Sequence, residues 1–450
     1  MMWTAEKDNS NNKDTRSSLA RKNMLVSFIT KCVGMLTSFL LVPLTLSFLN
    51  PEVYGIWLTI SSILFWFTFF DIGLGNGMRN YVAESLSKGE IKLANKYVST
   101  TFMFLFILGI IFTVVVCLIV PLIDFQELYN TTSESKEELL YATLTALLLT
   151  IVFFVIKNVG TIYMSLQLPA VNDILLVSGS VFTLIIIYLC SFYINGSLLL
   201  VVSAFTIPPV VIFLIAYYPT FKLFPHLKPS RNNIDFNIGK SIIKKGLGFF
   251  FIQITSCLVI YGSSNLFVAH YCGTAEVTNY GIAYKFFNLL CVVYTIYLTP
   301  YWNAYTDAYT KKDTLWIKNT FYKTLKVWCL FVFFGLLMIV IAPFFYSKWI
   351  GDTIEIPYTI SISTMIYISM FNLNNCVTFL INGLNKIKVQ IITSVVFTLF
   401  YIISVTTIGK DYGVIGIIGC MTSAYFLMAV IHLYQCYLFI NNKASGIWNQ

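Results

Sequence analysis

Twelve long apolar runs constrain this chain more than any other feature. They fall at residues 24–48, 54–75, 97–121, 139–160, 172–194, 197–221, 241–269, 279–300, 321–345, 357–381, 388–408 and 413–438. A helix needs roughly 20 apolar residues to cross the hydrocarbon core, and each run reaches about that length. The runs are continuous rather than alternating, which excludes transmembrane strands. Only 11% of residues are charged, against about 25% in soluble proteins. That is too little to coat a soluble protein of 450 residues. The expected fold is an all-α polytopic membrane protein of about 12 transmembrane helices. The first run is too long for a signal-peptide core and lacks a small-residue cleavage site, so it is read as a helix. The ten cysteines are sparse, mostly inside apolar runs, and form no disulfide framework.

Basic residues orient the bundle. With the N-terminus in the cytoplasm, 24 of the 29 Lys and Arg residues fall in cytoplasmic segments. Only Lys136, Lys348 and Lys410 fall outside, and Lys31 and Lys285 lie within helices. Ten of the twenty acids lie in the outer loops, among them Asp124, Glu127, Glu134, Glu137 and Glu138. A missed or extra span would scramble this pattern, so an even helix number with both termini inside is expected. The net charge of +9 is thus a topology signal, and no nucleic-acid partner is implied.

The chain reads as a duplication. The longest cytoplasmic connection, residues 222–245, divides six runs from six. Tyr54-Gly55-Ile56 opens the second run and Tyr280-Gly281-Ile282 the eighth, 226 residues apart. Lys88-Gly89-Glu90 matches Lys312-Asp313 at an offset of 223, and Pro121, ending helix three, matches Pro343, ending helix nine, at 222. The expected organisation is a cytoplasmic tail (1–23), an N-terminal six-helix lobe (24–221), a linker (222–240), a C-terminal six-helix lobe (241–438) and a second tail (439–450). Both copies enter the membrane from the same side, so the repeats are parallel, a plan suited to a transporter. The loops 76–96 and 301–320 read as short interfacial helices. Pro208-Pro209 is expected to interrupt helix six and Pro43 to kink helix one.

Ionisable groups inside the spans are few: Lys31, Asp71, Lys285 and, near an inner end, Lys157. A charge in hydrocarbon costs on the order of 3 kcal/mol and normally faces a cavity or a partner. Lys31 and Asp71 lie at similar depth on consecutive helices and pair either structurally or for coupling. Lys285 has no acid at its depth, which favours a cavity-facing cation for an anion such as phosphate. Arg79 follows the second run. Polar groups cluster on helix seven, including Asn265, and on helix ten, including Asn375. They serve either helix packing or a wet cavity that receives sugar hydroxyls. His226, His270 and His432 show no metal-ligand spacing. No P-loop and no Gly-x-Ser-x-Gly elbow occurs, so neither a cofactor nor an ATPase engine is expected.

The stretch Leu49-Asn50-Pro51-Glu52-Val53-Tyr54-Gly55-Ile56-Trp57, followed by Phe70-Asp71-Ile72-Gly73-Leu74-Gly75-Asn76-Gly77 and Arg79-Asn80-Tyr81-Val82, resembles the bacterial O-antigen and capsule flippases of the Wzx type. Their superfamily also holds the MATE exporters and the lipid II flippases. The specific likeness covers roughly residues 17–122. It implies a two-lobed, V-shaped, MATE-like bundle of helices 1–6 and 7–12. It implies no enzyme, but a flippase moving polyprenyl-diphosphate-linked oligosaccharide across the bacterial inner membrane by ion-coupled alternating access. Membrane lipids, a polysaccharide polymerase with its chain-length machinery, and an H+ or Na+ gradient are the implied partners. On this reading Lys31, Arg79, Lys285, Asn265 and Asn375 meet substrate, and Asp71 pairs with Lys31 or titrates. A MATE-like cation or drug antiporter is the first alternative. It would want a buried carboxylate rather than competing lysines. A membrane glycan polymerase or acyltransferase is the second. It would want a large outer loop or a catalytic His.

Overall fold

A computed structural model describes residues 12–66, 74–240, 263–351 and 354–449. Fifteen α-helices carry the fold, with no β-strand among the described residues. They are α1 (Asn12–Phe48), α2 (Pro51–Trp66), α3 (Leu74–Ser87), α4 (Ile91–Ile119), α5 (Phe125–Tyr129), α6 (Lys136–Ile156), α7 (Asn158–Ser165), α8 (Pro169–Tyr193) and α9 (Leu198–Leu223). After the linker come α10 (Ser264–Cys272), α11 (Thr274–Thr310), α12 (Thr314–Ile350), α13 (Tyr358–Gly383), α14 (Lys388–Thr407) and α15 (Gly413–Ile440). Among the described residues, ten helical segments are long and apolar enough to cross a membrane. The two other predicted spans, 54–75 and 241–269, extend beyond the described residues. The chain is an all-α polytopic membrane protein.

Two compact units form. One gathers α1, α3, α4, most of α6, and α7–α9; the other gathers α2, α5 and α10–α15. In the first, Met78, Val82, Val98, Ile162, Phe221 and Leu227 build a buried core that joins α3, α4, α7, α9 and the linker. Close helix approach rests on glycine: a methyl at Gly160 would overlap the Asn172 side chain of α8. In the second, Tyr294, Leu298, Ile317, Phe321, Val377 and Leu380 knit α11, α12 and α13. Hydrogen bonds tie the same helices, from Tyr294 Oη to Thr324 O (3.0 Å) and from Trp328 Nε1 to Ser369 O (2.9 Å).

Two turns repeat atom for atom. After α3, the N–H groups of Lys88, Gly89, Glu90 and Ile91 bond the carbonyls of Glu84, Leu86, Ser85 and Gly89. After α11, those of Lys311, Lys312, Asp313 and Thr314 bond Asp307, Tyr309, Ala308 and Lys312. Every partner is displaced by 223 residues. The ion pairs Glu84–Lys88 and Asp307–Lys311, both 2.6 Å, obey the same offset. Each turn needs one left-handed residue, Gly89 (φ 76°) or Lys312 (φ 59°), which closes the helix and satisfies its last carbonyls. A second pair of turns, around Gln167 (φ 61°) and Asn385 (φ 56°), repeats in the same way.

Three sequence expectations are corrected. Residues 301–310 are not a separate interfacial helix; α11 continues through Pro300 to Thr310. Pro343 does not end its helix as Pro121 does, because α12 runs on to Ile350. Pro208-Pro209 does not interrupt helix six, for α9 is continuous. The reason is hydrogen-bond replacement. A proline lacks the N–H that would bond the carbonyl four residues back, so Pro208 frees Ala204 O. The Thr183 hydroxyl of α8 donates to that oxygen at 2.8 Å. Likewise Pro343 frees Ile339 O, and the Tyr358 hydroxyl of α13 donates to it at 3.0 Å.

Thr183→Val should destabilise the protein by about 1–3 kcal/mol, because Ala204 O loses its donor. The same change should cost less in a Pro208→Ala background, where the backbone N–H returns. Thermal unfolding of the four solubilised proteins in a double-mutant cycle measures the coupling, and strict additivity would refute this account.

Candidate functional site

A close polar contact in the second unit joins the N-terminal ends of α2 and α11. Gly55 faces α11 so tightly that a methyl there would overlap the Thr274 carbonyl oxygen. Thr278 Oγ1 donates to Pro51 O at 2.6 Å. Asn265 Nδ2, at the start of α10, donates to Leu58 O at 3.2 Å. Gly281 receives the Leu58 side chain. The two glycines are those of the repeated Tyr-Gly-Ile motif, so each copy supplies the small residue that admits its counterpart. Tyr54 and Tyr280 are buried beside them. Ser133 adds a hydrogen bond to the Glu52 carboxylate in the first turn of α2.

Lys285 follows Gly281 by four residues on α11. Residues four apart share a helix face, so Lys285 lies on the α2-facing side, one turn below the glycine contact. It sits about 16 Å from the start of α11 at 1.5 Å per residue. The side chain is half-buried, and no described acid forms an ion pair with it. Its helix neighbours are aromatic and amide: Tyr284 Oη donates to Asn288 Oδ1 at 3.2 Å, and the Tyr284 ring lies 6.5 Å from that of Tyr367.

The other predicted residues are dispersed. Lys31 on α1 and Arg79 on α3 are exposed and belong to the first unit. Asp71 lies outside the described residues, and its pairing with Lys31 does too. Asn265 is engaged by the α2 backbone. Asn375 on α13 is half-buried. Its neighbour Asn374 is committed to packing: Oδ1 meets Nδ1 of the fully buried His432 at 2.9 Å, and His432 Nε2 meets Thr393 Oγ1 at 2.9 Å. The amide oxygen of Asn372 is buried with no partner among the described residues. Much of the polar cluster therefore bonds helices together. Sequence reasoning missed Thr278 and the close approach of α2 to α11 at Gly55 and Gly281; the paired Tyr-Gly-Ile motif was the signal. Among the described residues, no group of His, Cys, Asp or Glu could hold a metal ion.

The segment 123–140 belongs to this unit and carries unequal acids. Lys136 beside Asp124 holds that carboxyl below the usual carboxylate range. Burial, reinforced by neighbouring Glu138, pushes Glu134 up to about 7.

A family model described as "Polysaccharide biosynthesis protein" matches residues 20–302. The chain belongs to the polysaccharide biosynthesis protein family. This member is 20% identical over 431 residues to a "Putative O-antigen transporter" of Salmonella typhi, covering 93% of this chain and 96% of the relative. It is 23% identical over 326 residues to a "Putative O-antigen export protein" of Yersinia pseudotuberculosis, covering 70% of each. Among solved structures, the inward-facing conformation of a multidrug resistance MATE family transporter of the MOP superfamily superposes with a TM-score of 0.77. The identity is 14%, over 93% of this chain and 98% of that one. The family member therefore has the MATE fold.

Two outcomes test the geometry. Gly55→Val should force α2 from α11 and lower thermal stability by about 1–3 kcal/mol or more, the usual cost of overpacking; wild-type stability would contradict the contact. A carboxyl whose pKa rises on folding stabilises the folded segment while protonated. That contribution is complete below the unfolded carboxylate pKa, about 4, and is lost as pH climbs through 7. Corrected for intrinsic rates, hydrogen exchange in 124–139 should therefore be faster at pH 8 than at pH 6. Glu134→Gln should flatten the difference, and an unchanged difference would exclude Glu134 as its source.

Proposed function

We propose that this protein is a transporter, not an enzyme, and that it flips polyprenyl-diphosphate-linked oligosaccharide across the bacterial cytoplasmic membrane. The family and the two named relatives support the polysaccharide class. The observation that carries the anionic substrate is Lys285, a half-buried cation in a spanning helix with no described counter-ion. A multidrug antiporter of organic cations would be poorly served by a lysine there. No covalent step is required.

In this reading residues 24–221 and 241–438 are two six-helix lobes with both termini in the cytoplasm. The glycan and its diphosphate enter from the inner leaflet while the prenyl tail stays in lipid. Lys285, with Lys31 and Arg79, meets the diphosphate, and Asn375 meets sugar hydroxyls. The ends of α2 and α11 are then outer ends, and their contact directly above Lys285 closes the outward exit. Release requires that α2 and α11 part at Gly55 and Gly281. An H+ or Na+ gradient drives the cycle, with Asp71 as pair or titrating group. The energy comes from differential affinity for the alternate states.

Deleting the gene should leave lipid-linked oligosaccharide on the inner leaflet; undiminished export without accumulation would end the flippase reading. Lys285→Met should reduce export about 10- to 100-fold, the usual loss for a charge-assisted contact. Membrane abundance should be unchanged, and Lys285→Arg should retain most activity. Full export by Lys285→Met would remove Lys285 from the site.

A further inference from the structure

A second basic concavity lies in the first unit, where the linker crosses the start of α4. It encloses about 540 Å³ between Ile91, Lys92 and Asn95 on one side and His226, Lys228 and Ser230 on the other. Its walls are far apart in sequence and are held by one buried amide. Asn95 Nδ2 donates to His226 O at 2.7 Å and to Lys228 O at 2.9 Å. Asn95 Oδ1 accepts from Asn233 Nδ2 at 2.7 Å and from Ser99 Oγ at 3.0 Å. Ser230 N–H is fixed in turn by Ser99 Oγ at 3.0 Å. The backbone bearing His226 and Lys228 is thus set against Lys92 before any ligand arrives.

The charges in this concavity are unbalanced. Every titratable side chain lining it is basic. Among the described residues, neither Lys92 nor Lys228 makes an ion pair. The linker acid Asp235 is paired with Lys96 at 3.7 Å, and it does not line the cavity. Orientation alone asks for positive charge on this side; it does not ask that cations from two distant segments share one prearranged hollow. Depth narrows the ligand. The apolar run of α4 begins at residue 97, so Lys92 lies about 8 Å beyond it at 1.5 Å per residue, within the headgroup layer. Ile91, 49% exposed, gives the hollow an apolar edge.

We propose that this hollow binds the phosphate of an anionic phospholipid headgroup. Lys92 and Lys228 neutralise the phosphodiester, the His226 ring stands at the same wall, and Ile91 meets the start of the acyl chains. The bound lipid thereby fastens the linker to α4 at the membrane surface.

The test uses the full chain in uncharged detergent, with thermal unfolding read against added phosphatidylglycerol, phosphatidylcholine or inorganic phosphate. Phosphatidylglycerol should raise the midpoint, and the other two should not. Lys92→Ala with Lys228→Ala should weaken apparent phosphatidylglycerol affinity about fivefold per lysine. The exposed pair Lys323→Ala with Lys443→Ala should leave it unchanged. Lys92→Arg with Lys228→Arg should retain the response, which separates lost charge from lost fold. An undiminished response in the alanine pair, or equal losses in both alanine pairs, would overturn the site. An equal shift with inorganic phosphate would assign it to free phosphate and overturn the lipid.

Discussion

Backbone polar groups in hydrocarbon have no water to turn to, and the arrangement of this bundle follows from that constraint. Wherever a proline deletes an N–H inside a span, a carbonyl is freed at membrane depth. Two such oxygens, Ala204 O and Ile339 O, receive hydroxyls from the neighbouring helices α8 and α13. Each replacement also fixes the rotation of the donor helix, since the hydroxyl must point at one particular carbonyl. Prolines that read as breaks in the sequence thus act as sites of helix pairing. Two uninterrupted helices, α9 and α12, are the result.

The same constraint explains why small residues sit at the close contacts. Apolar burial gives little drive for association between helices already surrounded by lipid tails, so packing and short polar contacts must supply it. Gly55 and Gly281 let α2 and α11 come near enough for Thr278 to reach Pro51 O across the gap, while Asn265 of α10 reaches Leu58 O. The contact includes the Thr278 hydrogen bond from α11, the Asn265 bond from α10 and a surface of small residues. In the proposed cycle it must open in every turnover. In that cycle, the half-buried ammonium of Lys285 one turn along α11 is the group that an arriving anion would neutralise.

The elements legible in the sequence were those set by local rules. Apolar run length located the spans, and the offset between Lys88-Gly89-Glu90 and Lys312-Asp313 located two turns that fold alike. What the sequence could not reveal depends on partners far along the chain. Nothing near Pro208 announces that Thr183 will take its orphaned carbonyl, so a break was the natural expectation. Nothing near Asn374 announces His432, and the amide therefore read equally as cavity lining. The Tyr-Gly-Ile motif was visible as a repeat, yet its meaning as a contact between copies needed the fold. Lys285 was legible for a different reason: a charge inside an apolar run is costly wherever it lies.

That cost also separates the two kinds of cation in this protein. Lys92 and Lys228 are exposed at headgroup depth, so their charge is hydrated without help and any ligand gains only from their convergence. Lys285 stands half-buried on a spanning helix, and in the proposed reading a bound anion there would replace lost solvation. An anion should therefore change the energy of the protein far more at Lys285 than at the linker. A compact ammonium also differs from a guanidinium, for it neutralises charge without imposing one planar, bidentate geometry. In the proposed cycle either cation can neutralise a diphosphate whose attached glycan must turn while it crosses, the ammonium with the weaker directional demand. The choice of lysine at position 285 is thus consistent with a substrate that must be held, reoriented and released.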